Sequence, residues 1–139
     1  MKVYVNAKQI KKRGDQIAAY PYELKTVPQT LRQLLCAMVT DGVEGYNRRV
    51  QSKENLSVLS KDAIDAMSQV GKIGFGIPFD HREADLEDAL ETAVQGFADG
   101  LYRLFVGERE MEDLDEPLCL REGDTITIIR LVMLTGGYF

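Results

Sequence analysis

Arg121-Glu122-Gly123-Asp124-Thr125-Ile126-Thr127-Ile128-Ile129-Arg130-Leu131-Val132-Met133-Leu134 is the stretch whose reading decides the fold. Its first four residues are turn chemistry, with Gly123 where a positive φ is wanted. Thr125 to Leu134 then contains no Gly or Pro and is rich in β-branched and aliphatic side chains. Thr125 to Ile128 alternates, and the run afterwards is almost wholly apolar. Alternation that gives way to a continuous apolar run predicts a strand covered on one face first and on both later, in the middle of a sheet.

Working outward, the chain before this stretch supplies both strands and helices. Lys2 to Asn6 alternates, with Val3 and Val5 on one face, and reads as a strand. Asn6-Ala7-Lys8 reads as a hairpin turn, and a second extended stretch falls within Gln9 to Leu24, where Pro21 argues against a central strand. Thr26 with Gln29, and Pro28 between them, predicts a helix start. Leu31, Leu34, Leu35, Met38, Val39, Val43, Tyr46 and Val50 then recur at helical spacing. Gly42 and Gly45 leave that helix either long or broken near residue 41. A second helix is expected from Ser60, with Ala63, Ile64, Met67 and Val70 on one face and Gly71 as its stop. Gly71 to Pro78 reads as a glycine-rich loop. A third helix runs from about Asp85 to Gly100 on a stripe of Leu86, Ala89, Leu90, Ala93, Val94 and Phe97. Leu101 to Val106 is a strand, Gly107-Glu108 a turn, Arg109 to Met111 a short return, and Met111 to Pro117 an acidic loop.

Composition narrows the function classes. At 139 residues, 45% of them apolar, the chain fits one globular domain spanning 1–139. It lacks any run near the roughly 18 apolar residues of a membrane span, so no membrane partner is expected. Met1 to Asn6 is too short and strand-like for a signal peptide. Cys36 and Cys119 lie in apolar segments, which predicts buried free thiols and a cytoplasmic setting. Residues 1–50 carry nine Lys/Arg and four Asp/Glu, whereas residues 83–139 carry four and fourteen. So acidic a second half disfavours nucleic acid as a partner. The basic cluster Lys8, Lys11, Lys12 and Arg13 suits a solvated sheet edge.

No catalytic constellation emerges. The loop Gly71 to Gly76 is followed by a helix opening with Asp85, Glu87 and Asp88, which would repel a phosphate. His81 is the one histidine, too few for a zinc site, and its spacing from Cys36 and Cys119 gives no nucleophile–base pair. No metal and no cofactor are expected. The loop Glu108 to Glu116, with Glu110, Glu112 and Asp113 at its centre, lacks calcium-ligand spacing and suits steering toward a basic partner. Phe75 and Phe79 are candidate exposed contacts of the glycine-rich loop.

Outside residues 41–100, the order is strand hairpin, helix, then two or three strands. Val3-Tyr4-Val5-Asn6, Thr30-Leu31-Arg32-Gln33-Leu34-Leu35 and Leu120-Arg121-Glu122-Gly123-Asp124-Thr125-Ile126-Thr127-Ile128 carry the likeness, with Gly136-Gly137 past the last strand. This arrangement resembles the ubiquitin-like β-grasp, and within it is similar to the sulfur carriers of thiamine and molybdopterin synthesis. The resemblance implies an α+β fold: a mixed sheet with the first and last strands parallel at its centre, a long helix, and a helical insertion at about 41–100. That insertion would bury Ile64, Met67, Leu90, Val94 and Phe97 against the sheet. In the carriers the di-glycine is the free C-terminus and its carboxylate is activated. Here Tyr138 and Phe139 follow it, so that chemistry would require their removal. Gly136, Gly137, Tyr138 and Phe139 are therefore candidate binding residues of the tail. The leading expectation is a non-enzymatic interaction module or complex subunit with a protein partner. The alternative is a carrier or modifier acting through Gly137.

Overall fold

A computed structural model of the chain describes residues 1–9, 16–51, 67–77 and 84–131. The described chain is α+β. Strands β1 (Lys2–Gln9), β2 (Gln16–Glu23), β3 (Tyr102–Val106), β4 (Arg109–Met111) and β5 (Thr125–Arg130) form one mixed sheet in the order β2-β1-β5-β3-β4. The β1 and β5 strands run parallel at the centre, in a register from Tyr4 opposite Thr125 to Gln9 opposite Arg130. All other pairings are antiparallel. The strand read from Thr125 is therefore central, as its composition requires. Its inner face carries Ile126 and Ile128, both fully buried, while Thr125, Thr127 and Ile129 on the other face are half-buried. Residues 132–134, the rest of the expected strand, lie outside the described residues.

One expectation near the N-terminus is corrected. Asn6-Ala7-Lys8 is not a turn but part of β1. Its register against β2 shifts between Val5 and Ala7, because β2 holds an extra residue there and Ala19 takes a φ of 53°. The Asn6 side chain accepts a hydrogen bond from the Ala19 amide at this bulge, so the asparagine serves a bent strand rather than a hairpin. Pro21 lies within β2, at the sheet edge, where proline is tolerated.

Helix α1 (Leu31–Gln51) is long and unbroken. It starts later than Thr26. The cap is Thr30, whose Oγ1 accepts from the Gln33 amide at 3.2 Å, while Gln33 Oε1 accepts from the Gln29 amide at 2.8 Å. Leu31, Leu34, Leu35, Met38, Val39 and Val43 are all buried against the sheet's inner face. Each contributes about 1.5–3 kcal/mol of burial. Gly42 is accommodated because a helical segment crosses it closely: a Cβ there would stand 3.0 Å from the Met67 carbonyl oxygen.

Gly71 is not a helix stop, and residues 71–75 are not a loop. The backbone is helical from Met67 and continues as a π-helical turn over Gly71–Phe75, ending at Gly76 with φ 75°. This turn lies over β1 and β5, with Gly71, Ile73, Gly74 and Phe75 buried. Helix α2 (Leu86–Ala98) follows, capped by Asp85, whose carboxylate accepts from the Glu87 and Asp88 amides. Asn47 of α1 ties its start down, donating to the Ala84 carbonyl and accepting from the Ala84 amide. Met67 is buried, and Leu90 and Phe97 are partly buried on one continuous core. Val94 is half-buried, and Ile64 lies outside the described residues.

Candidate functional site

The acidic loop is ordered by the helix it faces. The α1 amides of Leu31 and Arg32 donate to the carbonyls of Glu116 (3.4 Å) and Leu114 (2.7 Å), and Thr30 bridges to Pro117. The loop thus satisfies orphan donors at the helix N-terminus and brings its carboxylates to the positive end of the dipole. Most of those carboxylates have internal partners. Asp115 pairs with Arg32 at 3.1 Å, and this bond holds the guanidinium's pKa above its ordinary value. Glu116 pairs with Arg109 and accepts from the Glu112 amide, Asp113 accepts from the Asp115 amide, and Glu110 lies 3.7 Å from Arg103. Glu112 and Asp113 are exposed and Glu110 half-buried, so the loop is a fixed negative surface.

Phe75 does not belong on the surface. It is 1% exposed, with its ring 5.2 Å from that of Tyr102, because the π-turn rotates it into the core. Phe79, His81, Gly136, Gly137, Tyr138 and Phe139 lie outside the described residues, as do Lys11, Lys12 and Arg13. The cysteines are also corrected. Cys36 is half-buried and Cys119 is exposed, both as free thiols. In the segment Leu118–Leu120 the alternation turns both leucines inward and Cys119 outward.

Sequence reading missed a sizeable concavity among the described residues. It is a groove of about 500 Å³ between the edge strand β2 and helix α1. Tyr22, Leu24 and Lys25 line one wall, and Cys36, Thr40, Asp41 and Glu44 the other. Tyr22 donates its hydroxyl to Asp41 Oδ2 at 2.5 Å across the base. Burial, reinforced by Asp41, holds the Tyr22 phenol well above its ordinary pKa. The signal was present in α1 as a second stripe, Cys36, Ala37, Thr40, Asp41 and Glu44, beside the leucine stripe. Small and polar residues at helical spacing read as a solvated face until a strand edge is seen beside them.

Arg130, at the end of β5, packs on the π-turn. Its Nη1 is buried, sits where a Cβ on Gly76 would fall, and meets no acceptor among the described residues. Burial lowers its pKa. It lies beside the C-terminal end of a helical segment, where a cation is favoured.

Among the described residues no group of three His, Cys, Asp or Glu could hold a metal ion, and no helix is long and apolar enough to cross a membrane. Comparison with known proteins finds no family model, no curated protein and no solved structure that matches the chain.

Proposed function

We propose that this chain is a non-enzymatic interaction module, or the subunit of a larger assembly, on a ubiquitin-like β-grasp scaffold. The sheet order β2-β1-β5-β3-β4, with β1 and β5 parallel at its centre and a long helix across one face, supports the scaffold reading. The observation that carries the functional reading is the groove between β2 and α1. It is open along a sheet edge, and its lining mixes apolar, hydroxyl and charged side chains. Such a shape suits a segment of another chain. The exposed thiol of Cys119 supports a reducing, cytoplasmic setting. The test is affinity purification of the full chain from its native cell, followed by native mass measurement. A defined complex in fixed stoichiometry is expected; a chain recovered alone at every ionic strength would remove the reading.

A second reading, a sulfur carrier or protein modifier, is supported by Gly136-Gly137 just after the central strand. Intact-mass measurement of the cellular protein decides it. A species ending at Gly137, above all with one oxygen replaced by sulfur, would make this the leading function. A single species ending at Phe139 would sink it.

A further inference from the structure

The backbone of β2 presents hydrogen-bonding groups along its outer edge, beside the groove. The Leu24 amide donates to the Met1 carbonyl at 2.8 Å, so Met1 and Leu24 form a hydrogen-bonded pair. On the other side of β1, the Tyr4 amide donates to the Asp124 carbonyl at 2.8 Å and the Gly123 amide to the Lys2 carbonyl at 2.7 Å. Lys2 and Tyr4 therefore turn their backbone groups toward β5, and their β2 partners, Glu23 and Pro21, turn theirs away from β1. Among the described residues no strand pairs with that outer side of β2. Pro21 offers no N–H, so it blunts the edge against long strand addition. Glu23 offers both an N–H and a carbonyl.

We propose that the groove binds an extended peptide segment of a partner protein, antiparallel to β2, that carries an apolar residue, any residue, then Arg or Lys. This rests on the interaction-module reading and names its partner chemistry. In the antiparallel direction one peptide residue exchanges both bonds with Glu23, whereas a parallel peptide would spread them over two residues. The peptide residue opposite Glu23 then points to the outer face with the Glu23 side chain, and its two neighbours point into the groove. The preceding neighbour lies beside Leu24, near Cys36 and Ala37, where an apolar side chain is buried. The following neighbour lies beside Tyr22, where Asp41 and Glu44 sit one turn apart on α1. Those two carboxylates outnumber the single ammonium of Lys25 in the lining, which favours a cation there. Pro21 limits the match to this short segment, so affinity comes from one backbone pair and two side chains.

The experiment is a titration of the isotope-labelled full chain, followed by amide NMR, with two pools of N-acetylated, C-amidated hexapeptides. One pool fixes Val-x-Arg at its centre and the other Val-x-Glu. The expected result is that the arginine pool shifts the amides of Glu23 and Leu24 and of α1 from Cys36 to Glu44, while the glutamate pool does not. Asp41→Asn, which keeps the acceptor for Tyr22, and Glu44→Gln each weaken binding about two- to fivefold. Glu23→Pro removes the outward N–H and abolishes binding, with the remaining amide spectrum reporting that the fold is kept. Equal response to both pools, or to neither, overturns the proposal. Shifts confined to another surface overturn the groove while leaving the interaction-module reading standing. Concentration-dependent broadening of β2 amides without peptide assigns the edge to a second copy of this chain and also overturns it.

Discussion

Gly74 shows how little room a single residue leaves in this molecule. A Cβ placed there would stand 2.8 Å from Cγ2 of Ile128, which is itself fully buried. The backbone of the π-turn lies directly on the central strand, and neither side can move away without disturbing the core. Gly74→Ala is expected to destabilise the fold by about 1–3 kcal/mol, the usual range for overpacking, despite alanine's better helical propensity. Urea unfolding with an unchanged m-value would check this. Two buried phenols give a second prediction. Burial raises the pKa of Tyr22, with a further push from Asp41, and burial likewise raises that of Tyr102, whose hydroxyl donates to the Ala93 carbonyl at 2.6 Å. In the unfolded chain each ionises near the ordinary value of about 10. Above that pH the unfolded state loses protons that the folded state keeps. The phenols' contribution to stability is therefore fully present below about pH 10 and is lost as pH rises beyond it. Alkaline unfolding followed by phenolate absorbance should show ionisation arriving together with loss of helix. Tyr22→Phe should make the pH dependence shallower.

The elements are held by their ends as well as by their faces. Helix α1 has Thr30 as its cap and the carbonyls of Leu114 and Glu116 as further acceptors for its first amides. Thr30→Ala is expected to cost about 1 kcal/mol. The loss should appear as a lowered thermal midpoint with the α1 amides exchanging first near Leu31. Asp115→Asn, by contrast, should change stability by no more than about 1 kcal/mol, because its partner Arg32 is exposed and the pair is screened. The acidic run is therefore explained in part by the helix it caps, although its spacing in the chain gave no hint of that. The same applies to Gly71 to Gly76. Three glycines within six residues resemble a loop, and only the close approach to Ile128 explains why a helical turn holds Gly74.

At the scale of the molecule, the sheet closes through its most distant segments. The β5 strand pairs with β1 on one side and β3 on the other, so the centre of the sheet forms only when the first residues and residues 125–130 meet. A chain ending at Asp124 would leave β1 and β3 without a common neighbour and expose the core face beneath Ile126 and Ile128. It is expected to lack cooperative unfolding, which circular dichroism against temperature would reveal. Because its central contacts are non-local, the intact domain should fold slowly for its size.

Local pattern alone determined the central place of the strand from Thr125, the core face of α1, and the turn at Gly107-Glu108. Each of these depends on residues that are neighbours in sequence and repeat with the period of one element. Tertiary structure alone decided the bulge at Asn6 and Ala19, the inward turn of Phe75, the outward turn of Cys119 and the groove beside β2. Each of these depends on which other segment lies against a residue. The groove in particular has one wall from an edge strand and the other from a polar helix face, and neither wall is distinctive until the fold places them together.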